Sequence, residues 1–267
     1  MNNDDFKVCV LSSGSGGNVT YIETPEHKII EDAGLSGIRI QRLMQSIGKD
    51  LKDVDSLFVT HEHSDHSKAV GILARKYGMD VYANQATWDA MNRRIGKIKP
   101  AQRHIFAPDT IEELGDLEVE SFSVSHDAAH AQFYDYRSHG KSFAIVTDTG
   151  ALSKHAEEVM RGADGYLFEC NYDTDMLLNG DYHYATKMRI QSDEGHLSNV
   201  EGAELLMDIM GPNTKEIFLG HRSHHNNTKE LQIETVSRLM KSNGLAVGKN
   251  FKIHGTDVEK PSKLYTL

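Results

Sequence analysis

Cysteine is scarce in this 267-residue chain, which has only Cys9 and Cys170. Two cysteines cannot build a disulfide framework, and both lie in strand-like apolar runs, so we expect the protein in a reducing cytoplasm. Long apolar runs are missing as well. No stretch approaches the length of a membrane span, and the amino terminus lacks the basic and apolar segments of a signal peptide. The sequence therefore predicts a cytoplasmic protein with no membrane partner.

Positive charge is also scarce, since 29 lysines and arginines stand against 39 acidic residues and give a net charge of −10. Affinity for phosphates comes largely from lysine and arginine, so this balance argues against broad, nonspecific coating of nucleic acid. It leaves room for local binding, because divalent ions at a site would offset several negative charges. One basic run is present and is interpreted as a solvated face: Arg93, Arg94, Lys97 and Lys99, with Arg103 following.

Histidine, by contrast, is plentiful, and three of the 15 lie in the segment His61-Glu62-His63-Ser64-Asp65-His66. Side chains at alternate positions of an extended segment project the same way, so His61 and His63 suit one metal ion. Asp65 and His66 follow at a turn, where they are free to point at a second ion. Imidazole with carboxylate suits zinc, manganese or iron better than calcium. A merely polar loop is the other interpretation, and it is disfavoured because neighbouring unpaired imidazoles repel one another once protonated.

Four short apolar runs are each followed directly by one residue that can bind a metal ion. In layered α/β folds, catalytic groups collect where strands leave the sheet, because the rigid backbone positions side chains there. A lone histidine in such a place is more often a core or surface residue, but four such residues in one chain indicate a shared site. They are His61 after Ser56–Thr60, His126 after Phe122–Ser125, Asp148 after Phe143–Thr147 and His221 after Ile217–Gly220.

These motifs resemble those of the metallo-β-lactamase-fold hydrolases. The stretch Thr60–His66 matches the T-H-x-H-x-D-H signature of that superfamily, and Glu31–Gly34 resembles its early D-x-G element. The resemblance implies an α/β fold, an αββα four-layer sandwich of two mixed β-sheets flanked by helices, with residues 1–267 as a single domain. It also implies two divalent metal ions (Zn, Mn or Fe). By the resemblance, His61, His63 and His126 hold one ion, Asp65, His66 and His221 hold the other, Asp148 bridges them, and Asp32 supports a ligand imidazole from behind.

The residue at the bridging position separates branches of the superfamily. Two-zinc β-lactamases commonly have cysteine there, whereas phosphodiesterases and thioesterases have the aspartate found here as Asp148. Other stretches resemble the WalJ/YycJ-like branch, which implies 5′ exonuclease activity on DNA: Leu11–Asn18, Glu31–Ser36, Lys187–Ile190 and Gly195–Asn199. The chain departs from that branch at Arg222, where leucine is usual, and at His130–Phe133 and Tyr182-His183. The departures leave the expected ligands intact and bear on substrate preference.

The segment that begins at Gly195 indicates an anion site. Ser198 and Glu201 have the spacing of a capping box, so His196 precedes a helix amino terminus, where free N–H groups and the helix dipole favour an anion. We expect His196 to bind the scissile phosphate or to protonate the departing oxygen; an ordinary histidine next to a helix cap is the alternative. The expected substrate contacts are Lys187, Arg189, Ser198 and Asn199.

The predicted function is phosphodiester hydrolysis by a dinuclear metal site, with a metal-bridged hydroxide as nucleophile and with Asp65 and His196 as catalytic residues. The expected substrate is nucleic acid, DNA in preference to RNA. Two alternatives stay open: a glyoxalase II-like thioesterase or other small-molecule metallohydrolase, and a non-catalytic metal-bound regulatory module. Every ligand position is filled, which favours an enzyme. His224 competes with His221 as the last ligand, and His221 is preferred because it follows its strand directly.

Local patterns predict the elements around the site. Residues 6–12, 18–23 and 27–31 are expected as strands, and the Gly-Ser loop between the first two is expected to border the site. Helices are expected over Ile38–Ile47, between the segment His61–His66 (termed the metal loop) and Gly78, and before Asn243. A hairpin is expected to pair Phe133–Tyr136 with Phe143–Thr147, and Cys170 is expected in the core.

Overall fold

The computed structural model describes residues 5–267 of the protein. The strands are β1 (Lys7–Ser12), β2 (Val19–Glu23), β3 (Lys28–Glu31), β4 (Ser56–Phe58), β5 (Asp80–Ala83), β6 (Arg103–Ile105), β7 (Ile111–Leu114), β8 (Leu117–Ser123), β9 (Gln132–Ser138), β10 (Lys141–Val146), β11 (Gly165–Glu169), β12 (Glu216–Gly220), β13 (Lys252–Gly255) and β14 (Tyr265–Thr266). The helices are α1 (Gly37–Ser46), α2 (Ser64–Ser67), α3 (Val70–Tyr77), α4 (Gln85–Ile95), α5 (Lys154–Met160), α6 (Thr174–Asn179), α7 (Tyr184–Ile190), α8 (Asn199–Ile209) and α9 (Lys229–Ser242). The single domain predicted for residues 1–267 stays a prediction, and residues 1–4 lie outside the described range.

Within residues 5–267 the strands form two sheets of seven strands each. The first has the order β14-β1-β2-β3-β4-β5-β6 and the second has the order β13-β12-β11-β10-β9-β8-β7. In each sheet, one half is antiparallel and the other half is parallel. Parallel neighbours need long crossover connections, which carry most of the helices to the outer faces. The two mixed sheets of the sequence prediction are confirmed.

The sheets are held face to face by a shared aromatic core. The ring of Phe58 on β4 stacks on Tyr82 at 4.6 Å between centroids, and it meets Tyr134 and Tyr136 of β9 edge-on at 5.4 and 5.7 Å. Edge-to-face rings at such distances add roughly 0.5–1.5 kcal/mol beyond the area they bury. A second apolar layer lies between the first sheet and its helices, with Trp88 of α4 fully buried in it. The predicted αββα layering is therefore confirmed.

The local predictions agree with the elements found. Helix α3 ends at Gly78, whose φ of 82° is a left-handed cap that glycine adopts without strain. Strands β9 and β10 pair antiparallel, with Phe143 opposite Tyr136, and Cys170 is fully buried. Helix α8 carries the expected capping box between Ser198 and Glu201. Within the described residues, none of the helices combines the length and the apolar character needed to cross a bilayer.

The parallel halves of the sheets position the functional residues. Strands β3 and β11 end in Glu31 and Glu169, and β12 leads directly to His221. Asp148 stands two residues after β10, and His61 stands three residues after β4. The carboxyl ends of parallel strands lie at the same edge of a sheet, so these residues collect at one end of the sandwich.

Candidate metal centre

The seven predicted ligands converge at that end of the sandwich. The ligand atoms of His61, His63 and His126 all lie within 4.8 Å of one another. The ligand atoms of Asp65, His66 and His221 also lie within 4.8 Å of one another and form a second group. Asp148 joins the two groups, because it lies in one cluster with His61 and His66 and in another with Glu169, His196 and His221. The structure thus brings together the grouping that the resemblance implied.

Three residues of this site have a left-handed backbone. The φ angles of Asp32, Asp148 and His221 are 59°, 52° and 47°. Non-glycine residues adopt this conformation at a cost, and such strain is typically found where a side chain must be aimed at a functional site. Asp32 and His221 stand directly after β3 and β12, and Asp148 stands two residues after β10.

The side chains present fit a divalent metal ion. Both ring nitrogens of His126 and Nε2 of His221 are buried and, among the described residues, have no hydrogen-bond partner. Buried polar atoms are rarely left unpaired, since each costs roughly 1–3 kcal/mol. Nε2 of His61 and Nδ1 of His63 face each other at 3.1 Å, which suits two lone pairs directed at one cation. A set of imidazole and carboxylate donors is typical of zinc, manganese or iron sites.

The protonation states of His61, His126 and Asp148 suit metal binding. Burial holds the pKa of His61 well below its ordinary value, and the neighbouring His66 lowers it further. Burial likewise lowers the pKa of His126. Burial opposes ionisation of Asp148, but His221 and His66 outweigh it and keep the pKa of this carboxyl well below its usual range. Neutral imidazoles and an ionised carboxylate are the forms that coordinate metals. In His66 and His221 burial lowers the pKa, but Asp148 and the other neighbouring carboxylates outweigh it and raise the pKa, to about 10 for His221. These two imidazoles must therefore lose a proton when a metal binds.

Asp32 lies behind His66, as the resemblance implied. Its Oδ2 lies 2.6 Å from Nδ1 of His66, and the same carboxylate accepts hydrogen bonds from the backbone N and the hydroxyl of Thr60 at 3.0 and 2.9 Å. This contact directs Nε2 of His66 toward Asp148 Oδ2, 2.9 Å away. Asn18 of the Gly-Ser loop lies 3.0 Å from the same Nε2, so that loop borders the site as expected. Carboxylates in this position orient a ligand imidazole and fix its tautomer.

Glu169 has the corresponding position behind His221, and it was not predicted from the sequence. Its Oε1 lies 2.9 Å from Nδ1 of His221 and 2.9 Å from Nδ1 of His196. Its Oε2 accepts from the backbone N of Thr149 at 2.9 Å. Glu169 is fully buried at the end of β11. A charged residue at the end of a buried strand was the available signal, but only the next residue, Cys170, was assigned from the sequence, and it was assigned to the core.

His196 lies at the open side of the cluster. Its side chain is 14% exposed, against 3% for His221 and 2% for His126. Its ring centre is 5.2 Å from that of His221 and 5.5 Å from that of His126. It stands two residues before Ser198, the N-cap of α8, close to the helix amino terminus as predicted. His196 is therefore beside the ligands while still accessible from solvent.

The four predicted substrate contacts have partners within the protein. Lys187 donates to the carbonyls of Leu178 and Gly180. Arg189 pairs with Asp127, the neighbour of His126, at 2.5 Å and stays half exposed. Their contact with substrate, like that of Ser198 and Asn199 below, stays a prediction.

Ser198 and Asn199 are buried and shape the start of α8. The Ser198 hydroxyl accepts from Glu201 N in the capping box, and the Asn199 side chain exchanges hydrogen bonds with Asn227. His224 is exposed, whereas His221 is buried in the cluster. The geometry therefore favours His221 over His224 as the last ligand.

Comparisons with known proteins agree with this geometry. Residues 27–221 match the family described as Beta-lactamase superfamily domain. The chain is 45% identical over 266 residues to Exodeoxyribonuclease WalJ of Streptococcus pneumoniae, covering 99% of each chain. It is 45% identical over 255 residues to Exodeoxyribonuclease YycJ of Bacillus anthracis, covering 96% of this chain and 97% of that protein. Among solved structures, the metallo-β-lactamase fold protein YhfI from Bacillus subtilis superposes with a TM-score of 0.70 at 14% identity, covering 97% and 99% of the two chains.

Proposed function

The chain belongs to the β-lactamase superfamily, and on that premise we propose that it is a metal-dependent exodeoxyribonuclease. One observation carries the proposal: two three-ligand clusters are joined by Asp148, and His196, whose ring is held by Glu169, lies beside them. We assign His196 to the substrate because the two clusters and Asp148 already supply seven ligands. Full-length similarity to proteins named exodeoxyribonucleases supports it.

The proposed centre holds two divalent ions. His61, His63 and His126 would hold one, Asp65, His66 and His221 the other, with Asp148 shared between them. When bound, such ions lower the pKa of water and offset negative charge on a phosphoryl group. The protein's part is to hold these donors in place, through Asp32 behind His66 and Glu169 behind His221.

His196 is proposed as the proton donor to the departing oxygen. Glu169 accepts from Nδ1 of His196, which fixes the ring and leaves Nε2 for the substrate. The amino terminus of α8, whose N-cap stands two residues after His196, favours a phosphate at the same place. Asp65 is 28% exposed at the side chain and lies 3.8 Å from both His66 Nε2 and His221 Nε2, so it borders the space that the reacting phosphate would enter.

The proposed substrate is DNA in preference to RNA, degraded from its 5′ end in the cytoplasm. Arg189 is the best placed of the predicted substrate contacts, because it is exposed and its partner Asp127 follows His126. Lys187, Ser198 and Asn199 would act mainly by shaping α7 and the start of α8.

The test uses protein loaded with manganese or zinc and four substrates: linear duplex DNA, covalently closed circular DNA, RNA of the same sequence and a panel of thioesters. An exodeoxyribonuclease degrades the linear DNA, leaves the circle intact and is slower on RNA. Rapid thioester hydrolysis with intact DNA would instead identify a small-molecule hydrolase. Cleavage of the circle would identify an endonuclease. A loss of activity with chelator and its return with added metal check that the reaction depends on the metal centre.

A further inference from the structure

Positive charge is concentrated in one segment of this acidic protein. Residues 67–103 contain eight lysines and arginines but only two acidic residues, a net charge of +6, whereas the whole chain has a net charge of −10. The remaining residues therefore carry a net charge of −16. Six exposed cations of this segment are termed the basic face: Lys68, Arg75, Arg93, Arg94, Lys97 and Lys99.

The basic face follows the seam between α3 and α4. The two helices approach so closely that a Cβ on Gly71 would lie 1.8 Å from the carbonyl oxygen of Ile95. Nη1 of Arg75 crosses the seam and donates to the carbonyls of Ile95 and Lys97 at 2.9 and 3.1 Å. Lys68 is exposed at the end of α2, two residues before α3 begins. Cations distant in sequence are thus brought to one surface.

One end of the basic face touches the metal loop. The Arg94 guanidinium donates to the carbonyl oxygen of Glu62, the residue between His61 and His63. The Glu62 side chain in turn accepts from the backbone N of Ala129 at 2.9 Å, in the loop that follows His126. The positive charge therefore begins directly beside the cluster of His61, His63 and His126.

The cations of this face lack carboxylate partners. Across residues 5–267, no acidic group lies within 4.0 Å of the side-chain nitrogens of Lys68, Arg93, Lys97 or Lys99 (ion pairs elsewhere include Arg137 with three carboxylates and Arg189 with Asp127). The hydrogen bond to Glu62 uses only one of the Arg94 nitrogens. Exposed, unpaired cations in an acidic protein form a surface complementary to a polyanion.

We infer that the basic face binds the DNA backbone as it leads away from the scissile phosphate. This inference rests on the proposed exodeoxyribonuclease function and adds the path of the bound strand. Lysine and arginine bind phosphates without reading the bases, which suits an exonuclease that must move along any sequence. The direction follows from the contact of Arg94 with Glu62, which places the start of the path at the metal loop.

The test compares two triple charge reversals. The first, Arg93→Glu with Lys97→Glu and Lys99→Glu, changes the basic face but spares Arg94 and the metal loop. The matched control, Arg238→Glu with Lys241→Glu and Lys249→Glu, changes exposed cations in and after α9, which packs on β13 of the second sheet. Both proteins are first checked for unchanged thermal unfolding and metal content.

The KM of the basic-face variant for long linear DNA should be roughly tenfold higher or more. A plot of log KM against log salt concentration should also be less steep for this variant, by roughly 0.9 for each duplex phosphate that it no longer binds. The defect should shrink as the DNA is shortened toward a dinucleotide, which is too short to reach the face. The control should retain the KM and salt slope of the unchanged protein.

An equal loss in both triple variants, or a loss independent of DNA length, would refute the inference and indicate only a general charge effect. Full exonuclease activity in the basic-face variant would also refute it while leaving the proposed function intact. The failure of the unchanged protein to degrade DNA, by contrast, is a failure of the proposed function itself.

Discussion

Oε1 of Glu169 lies 2.9 Å from Nδ1 of His196, and the same oxygen is equally close to Nδ1 of His221. One buried carboxylate thus orients both a predicted metal ligand and the predicted proton donor. Burial opposes its ionisation, but His196 and His221 outweigh burial and lower the pKa of Glu169 to about 2. Glu169 therefore remains a carboxylate throughout the neutral range, able to accept from both rings.

Replacing Glu169 by Gln should damage both roles. The amide keeps the size of the side chain but loses the charge, and the NH2 group that replaces Oε2 cannot accept the hydrogen bond from Thr149 N. We expect metal affinity to fall about 10–100-fold, as for other groups that orient ligand histidines, and turnover to fall further at saturating metal. Metal titration and DNA degradation measure the two effects separately. Glu204→Gln, an exposed change on α8, is the control, and equal behaviour of the two variants would contradict the role given to Glu169.

Asp148→Ala should abolish turnover and deplete metal. Asp148 joins the two ligand clusters, so its loss weakens the pair of sites rather than one alone. Elemental analysis of the unchanged protein after loading with zinc or manganese should give two ions per chain, and that of the variant should give fewer. A single ion in the unchanged protein at saturating metal, or near-full activity in the variant, would place the bridge elsewhere.

His196→Ala should slow the chemical step and leave the metal content unchanged, because His196 is held by Glu169 and is no proposed ligand. The loss of a general acid or a charge-stabilising donor costs about 10²–10⁴ in rate. The defect on DNA should be larger than on a p-nitrophenyl phosphodiester, whose leaving group needs no proton. An equal defect on both substrates would exclude the proton-donor role and leave phosphate binding, while loss of metal would contradict both roles.

The stability of the fold should depend on pH through Asp135, which is buried on β9 and is not a predicted ligand. Burial raises the pKa of Asp135 to about 7, against the opposing influence of Arg137, and Glu120 and Glu118 raise it further. The unfolded value is about 3.9, so the folded state binds the proton more tightly. The resulting stabilisation is fully present below about pH 4 and is lost as the pH rises through about 7.

Asp135→Asn removes that dependence. The urea midpoint of the unchanged protein, relative to that of the variant, should decline between pH 5 and pH 8 with metal held saturating. Other titrating groups are common to both proteins, so the difference isolates Asp135. A constant difference across this range would show that Asp135 is already ionised at pH 5.

Much of the site could be predicted from the sequence because its residues follow local rules. Apolar β-branched runs identify strands, and metal-competent residues at strand ends identified His61, His126, Asp148 and His221 before any contact was known. Asp65 and His66 were expected at a turn after His63, and the structure places them on the short helix α2. Their division between two ions came from the family resemblance, and the structure places the ligand atoms in the same groups.

The contacts missed from the sequence depend on packing between distant elements. Glu169 and His196 are 27 residues apart, and only the parallel pairing of β10, β11 and β12 brings Glu169 beside His221. The basic face could be predicted only in part, for the same reason. The run from Arg93 to Lys99 was evident, but its junction with Arg75, and with Glu62 of the metal loop, arises from the close packing of α3 on α4.

The most direct test of the proposed function is a time course of product lengths on linear DNA labelled at the 5′ end in one sample and at the 3′ end in another. With metal-loaded protein, the 5′ label should appear at once in the shortest products, while the 3′ label stays on strands that shorten gradually, and chelated protein should leave both intact. Early release of the 3′ label, internal fragments from both substrates, or undiminished cleavage after chelation would contradict a metal-dependent 5′ exonuclease.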